Sequence, residues 1–90
     1  MGEIAARAVI NGQGVSAKMY LDGTAFPNLR GIANLKENLS INASQGQHTI
    51  YCFYTKGLSN YIGSQSVYVK GYASTPLTIN LRPKSIPYPL

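Results

Sequence analysis

Short apolar–polar alternations, each closed by a glycine turn, constrain this chain more than any other feature. The clearest case runs from Ser44 to Tyr54, where Ser-Gln-Gly-Gln leads into His-Thr-Ile-Tyr-Cys-Phe-Tyr. A glycine turn followed by β-branched and aromatic residues without proline is the entry to a central strand. Similar punctuation recurs at Asn11-Gly12, Asp22-Gly23, Lys56-Gly57 and Lys70-Gly71. No segment carries a helical period. The pattern therefore predicts an all-β sandwich or small barrel, built as one domain from 90 residues.

About seven strands follow from the alternation. Ile4 to Asn11 places Ile4, Ala6, Ala8 and Ile10 on one face. Val15 to Leu21 points Val15, Ala17, Met19 and Leu21 inward and Lys18 and Tyr20 outward, and Asp22-Gly23 is the strongest hairpin signal. Phe26 to Ile32 contains Pro27 and reads as an irregular edge or crossover. Asn38 to Ala43 and His48 to Thr55 alternate again, the second with Ile50 and Cys52 on one face and Tyr51 and Phe53 on the other. Gly57 to Asn60 reads as a loop, and Tyr61 to Lys70 as a strand with Val67 and Val69 inward, Tyr68 outward and a bulge or bend at Gly63. After a turn over Gly71 to Pro76, Leu77 to Arg82 directs Leu77, Ile79 and Leu81 inward. The domain accordingly spans residues 1–82. Residues 83–90 form a Pro-rich arm, because Pro83, Pro87 and Pro89 favour extended, polyproline-like chain.

The order of these motifs resembles the PEGA-type module, a small immunoglobulin-like sandwich common in envelope proteins of bacteria and archaea. The residues that carry the likeness are Met19-Tyr20-Leu21-Asp22-Gly23, Leu39 and Ile41, Gly46-Gln47-His48-Thr49-Ile50, Val67-Tyr68-Val69-Lys70-Gly71 and Leu77-Thr78-Ile79-Asn80-Leu81. Two departures are visible. Phe26-Pro27-Asn28-Leu29-Arg30-Gly31 stands where such modules carry Gly-Thr-Pro, and Gln47 stands where they commonly carry Glu before His. The resemblance implies an immunoglobulin-like antiparallel β-sandwich used as a spacer or binding module, with no catalytic residue to transfer.

Chemistry has little to build on. The carboxylates are three, Glu3, Asp22 and Glu37, and the one histidine is His48. His48 and Cys52 share a strand face but stand about 13 Å apart along it, too far for a nucleophile and its base. His48, Cys52 and Asp22 show no metal-ligand spacing. The expectation is a protein without catalytic, cofactor-binding or metal-binding residues. One cysteine allows no intrachain disulfide, and its place mid-strand predicts a buried thiol.

Charged residues make up 12% of the chain and the net charge is +5, with the basic residues spread rather than clustered. A neutral, polar surface of this kind suits packing against other subunits. Tyr20, Tyr51, Tyr68 and Phe53 all fall on outward strand positions, where aromatic residues favour intermolecular contact. The arm, through Pro83, Pro87, Tyr88 and Pro89, orders along a neighbour at low entropic cost. The functional expectation is a non-enzymatic structural protein: a small coat, decoration or surface-lattice subunit of a virus particle or cell envelope. Its partners are other protein subunits, as a homo-oligomer or a larger assembly. Two alternatives use the same face. One is an envelope-associated module that recognises a glycan or protein through Tyr51, Phe53 and Tyr68. The other is a single-stranded nucleic-acid binder that adds Lys18, Lys56 and Lys70. Residues 1–30 lack an apolar signal core and no stretch approaches a membrane span, so no membrane insertion is expected. The chain is either made and kept inside a cell, with cytoplasmic synthesis if Met1 is native, released by lysis, or cut from a larger exported protein.

Overall fold

A computed structural model describes residues 2–32 and 38–83. The protein is all-β among these residues, with two sheets enclosing one core. Nine strands are formed, two of them only two residues long. They are β1 (Gly2–Ile10), β2 (Gln13–Gly14), β3 (Lys18–Leu21), β4 (Leu29–Ile32), β5 (Leu39–Ala43), β6 (Gly46–Lys56), β7 (Ser59–Val69), β8 (Ser74–Asn80) and β9 (Arg82–Pro83). In sheet I, β1 is central, with β8 along one edge and β5 and β2 sharing the other. Sheet II has the order β4-β3-β6-β7-β9.

Alternation decides which face each strand buries. Ile4, Ala6 and Ala8 of β1 meet Ile41 and Ala43 of β5 and Ile79 of β8 inside the core. Met19, Leu21, Ile50, Cys52, Val67 and Val69 close it from sheet II. Each large buried side chain contributes about 1.5–3 kcal/mol by leaving water. Tyr54 and Tyr61 face each other across β6 and β7, with ring centroids 6.2 Å apart, and pack against the edge of this core.

Several local expectations are corrected. The two-residue hairpins are at Asn11-Gly12 and Gly57-Leu58, not at Asp22-Gly23. Asn11 and Gly12 both have positive φ, 50° and 82°, between the paired residues Ile10 and Gln13, as a type I′ turn requires. Asn11 is thus turn rather than strand. The expected Gly57 to Asn60 loop shrinks to Gly57-Leu58, because β6 and β7 stay paired as far as Lys56 and Ser59. Asp22 does take positive φ (58°), but the chain then wanders through a 3-10 turn at Phe26–Asn28 before β4. Asp22 and Asn28 are held by long-range and local bonds respectively, with Asn28 Nδ2 donating to the Leu21 carbonyl at 2.8 Å. Pro27 stays outside the strand, and β4 is an edge of sheet II.

The strand expected over Val15 to Leu21 is broken, since residues 15–17 carry the chain from sheet I to sheet II. The last strand is also divided. β8 begins at Ser74, takes in Pro76 and runs parallel to β1, so the sheets are not purely antiparallel. Pro76 is tolerated because β8 is an edge strand. At Leu81 the chain crosses into sheet II, and Arg82 and Pro83 pair with Ile62 and Tyr61. Gly63 lies under that crossing and is no bulge, because the β6–β7 register runs unbroken from Gly46↔Val69 to Lys56↔Ser59. A Cβ at Gly63 would sit 2.8 Å from the Asn80 carbonyl oxygen and 2.6 Å from Leu81 Cδ2. Glycine is present there for close approach. Lys70 lies past the end of β7.

Candidate functional site

The outer faces of the two sheets differ. Sheet I presents small and polar side chains, among them Ser40, Asn42, Ser74 and Thr78, beside Glu3 and Arg7. Ser74 Oγ donates to Glu3 Oε1 at 3.0 Å. Hydroxyls of Ser40 and Ser74 hold that carboxyl below its ordinary range, against the opposing effect of desolvation.

Sheet II presents a row of apolar and cationic residues across all five strands. The register aligns Ile32 of β4 with Lys18 of β3, Lys18 with Phe53 of β6, Phe53 with Ile62 of β7, and Ile62 with Arg82 of β9. With neighbouring strands about 4.8 Å apart, the row is about 19 Å wide. Tyr20 and Tyr51 pair in the adjacent row, and the Tyr20 ring meets Phe53 edge-on with centroids 5.5 Å apart. Edge-to-face packing satisfies the ring quadrupoles and steadies both aromatics. Phe53 is the ridge between two shallow hollows. One, of about 340 Å³, is lined by Tyr51, Phe53, Ile62, Asn80 and Arg82 around Gly63. The other, of about 390 Å³, lies among Lys18, Tyr20, Ile32 and Phe53.

Tyr20, Tyr51 and Phe53 are therefore brought together as their outward positions predict. Tyr68 is not with them. It shares the face and is 54% exposed, but it pairs with Gln47, two rows beyond Tyr51. That is about 13 Å along the strands, and the Thr49 and Ser66 hydroxyls, 3.2 Å apart, occupy the row between. Lys56 and Lys70 lie at opposite ends of the β6–β7 hairpin, roughly 30 Å or more apart. Pro83 pairs with Tyr61 in β9, while Pro87, Tyr88 and Pro89 lie outside the described residues. The sequence reading missed Ile32, Ile62 and Arg82. Ile62 shares Tyr68's parity, so that signal was present, whereas the alignment of all five residues exists only through sheet register.

His48, Asp22 and Cys52 are engaged within the scaffold. His48 Nδ1 lies 2.6 Å from Asp22 Oδ2, and Nε2 lies 2.7 Å from the Ser44 carbonyl oxygen. Asp22 Oδ2 and the Ser44 carbonyl are acceptors, and the Ser44 hydroxyl stands 3.3 Å from Nε2, so the ring is held on both sides. The Asp22 hydrogen bond raises the His48 pKa; burial opposes it, and the Ser44 carbonyl and the Asp22 charge reinforce it. Burial alone would raise Asp22. The Thr49 amide, the His48 bond and the nearby His48 and Arg30 charges outweigh that and leave its pKa lowered. Asp22 is also fastened through Thr49, whose amide donates to Oδ1 at 2.8 Å while the Asp22 amide donates to the Thr49 carbonyl at 2.8 Å. Cys52 is fully buried, and burial pushes its thiol up to about 12, so it is a protonated core residue. Among the described residues no three His, Cys, Asp or Glu side chains converge as a metal-holding group. No helix among them is long and apolar enough to cross a membrane.

Compared with family models, curated proteins and solved structures, the chain finds no match.

Proposed function

We propose that this chain is a non-enzymatic structural subunit, a small coat, decoration or surface-lattice protein of a virus particle or cell envelope. In this reading it is an immunoglobulin-like sandwich of the PEGA type, and the outer face of sheet II makes its subunit contacts. The observation that carries the proposal is the Ile32–Lys18–Phe53–Ile62–Arg82 row with Tyr20 and Tyr51 beside it. Ile32 is 57% exposed, and the described part of that face carries cations without a carboxylate in the row. Aromatic and aliphatic anchors ringed by polar groups are the composition of a protein contact surface. Among the described residues, the small polar outer face of sheet I has no such anchors.

The test is a double substitution, Phe53→Ser with Ile62→Ser, beside Thr78→Asp on sheet I as a control. The expected result is a folded domain by circular dichroism that no longer self-associates or joins its particle, with the control unaffected. Assembly of the double variant at wild-type level overturns the face as the contact. Removing residues 84–90 tests the arm separately, and unchanged assembly excludes it. A second reading is favoured by one observation: Asn80 and Arg82 stand beside the Tyr51 and Phe53 rings in one hollow, a combination that also suits a sugar ring. Binding of the folded domain on a glycan array would favour that reading, and a blank array would remove it.

A further inference from the structure

β7 has a free edge. One side of the strand is paired with β6 along its full length, from Ser59 to Val69. The other side is paired only at Tyr61 and Ile62, by β9. Among the described residues, no other backbone group bonds to the edge between Ser64 and Tyr68. The usual protections of an exposed edge are missing here. Gly-Ser-Gln-Ser-Val-Tyr, from Gly63 to Tyr68, contains neither charge nor proline, and the register against β6 contains no bulge.

We propose that this edge pairs with the same edge of a second copy, antiparallel and centred on Ser66, joining two five-stranded sheets into one. The inference rests on the subunit reading above and specifies one of its contacts. Three features point to this occupant and this register. The free window is symmetric about Ser66, since β9 ends it at Ile62 and the chain leaves the strand at Lys70. A two-fold axis at Ser66 sets Ser66 opposite Ser66, Gln65 opposite Val67, and Ser64 opposite Tyr68. The paired segment is uncharged, so two copies of a chain with net charge +5 meet there without opposed like charges. The same register also accounts for Tyr68. Ser64 already stands in the row with Tyr51 and Tyr20, so each copy's exposed Tyr68 enters the partner's aromatic row beside Ser64. Backbone hydrogen bonds supply the affinity of such strand addition, and the alternate side chains set its register.

Ser66→Cys tests the axis directly. Residues opposed across an antiparallel pair have Cα atoms about 4.5–5.5 Å apart, within the range of a disulfide. Mild oxidation should link Ser66→Cys into dimers far above the yield of Ser64→Cys alone or of Ser74→Cys on sheet I. A mixture of Ser64→Cys and Tyr68→Cys chains should crosslink where neither does alone. In light scattering across a concentration series, Ser66→Lys should weaken the dimer roughly tenfold, and an equal mixture with Ser66→Glu should restore it. That restoration separates pairing from loss of the Thr49–Ser66 contact, which both variants share. A wild-type dimer that ignores Ser66→Lys but fails with Phe53→Ser overturns the edge pairing and leaves the subunit reading intact. A wild-type monomer at every concentration, without the Ser66→Cys crosslink, overturns the edge pairing, and particle association then decides the subunit reading alone.

Discussion

Replacing Gly63 with alanine adds one methyl group at the most crowded point between β7 and the strand crossing. The Cβ would lie 2.8 Å from the Asn80 carbonyl oxygen, 2.6 Å from Leu81 Cδ2 and 3.2 Å from Ile79 Cγ2. Ordinary C···O contacts are about 3.3–3.6 Å, so the Asn80 backbone must retreat by about 0.5–0.8 Å. Leu81 is only 7% exposed and cannot swing clear into solvent. Asn80 ends β8 and is paired with Val9 of β1, and Leu81 alone joins it to β9, which is fixed to β7, so the retreat strains a one-residue connection. Overpacking of this kind costs about 1–3 kcal/mol. Removing a glycine from the unfolded chain returns about 0.4–1 kcal/mol, which leaves a net loss centred on about 1.3 kcal/mol. Urea unfolding is the assay, and with a slope of about 1–2 kcal/mol/M the midpoint should fall by about 1 M. A midpoint equal to or above wild type, at unchanged slope, would refute the close-packing account of Gly63.

The His48–Asp22 clamp should make stability depend on pH at both ends. His48 has a raised pKa in the folded state, so its contribution is complete below the ordinary histidine value of 6.5 and is lost as pH rises through the folded value. Asp22 has a lowered pKa, so its contribution is present above 3.8 and is lost as pH falls through the folded value. Thermal melts should therefore be highest between these limits. Asp22→Asn should cost about 1–2 kcal/mol in that window and flatten the profile on both sides; a profile unchanged by the substitution would exclude the clamp. Cys52→Ser places a hydroxyl among the apolar side chains of the core and should cost about 1–3 kcal/mol in denaturant unfolding. With the thiol raised to about 12 and fully buried, Cys52 should react with a thiol reagent only as fast as the domain opens, and rapid labelling of the native protein would contradict that burial.

What was legible in the chain is what parity determines locally. Ile4, Ala6 and Ala8, Met19 and Leu21, Ile41 and Ala43, Ile50 and Cys52, and Val67 and Val69 are buried on the faces their alternation assigns. The outward placement of Tyr20, Tyr51 and Phe53 follows from the same two-residue period. Pairing is not local, and there the reading ran out. Nothing between Ser74 and Asn80 signals a parallel partner in β1. Asp22-Gly23 has the composition of a tight hairpin, yet the Asp22 carboxylate is engaged by residues 26 and 27 positions later, His48 and Thr49, which compete with the turn. Tyr68 has the right parity but the wrong row, a distinction that only the β6–β7 register makes.

The parallel pairing of β1 with β8 also has a temporal consequence. Glu3 to Val9 bond to Ser74 to Asn80, so the first strand made waits for nearly the last one. During synthesis β1 is half of an unfinished ladder, with β5 available for one edge and the other open until residue 80 has emerged. Contacts separated by 71 positions carry a large loop-closure cost before they stabilise anything. Sheet II, whose β6–β7 hairpin closes over two residues, has no such delay. The domain should therefore fold from its middle outward, with its two ends joining last and the apolar face of β1 the segment most dependent on a timely finish.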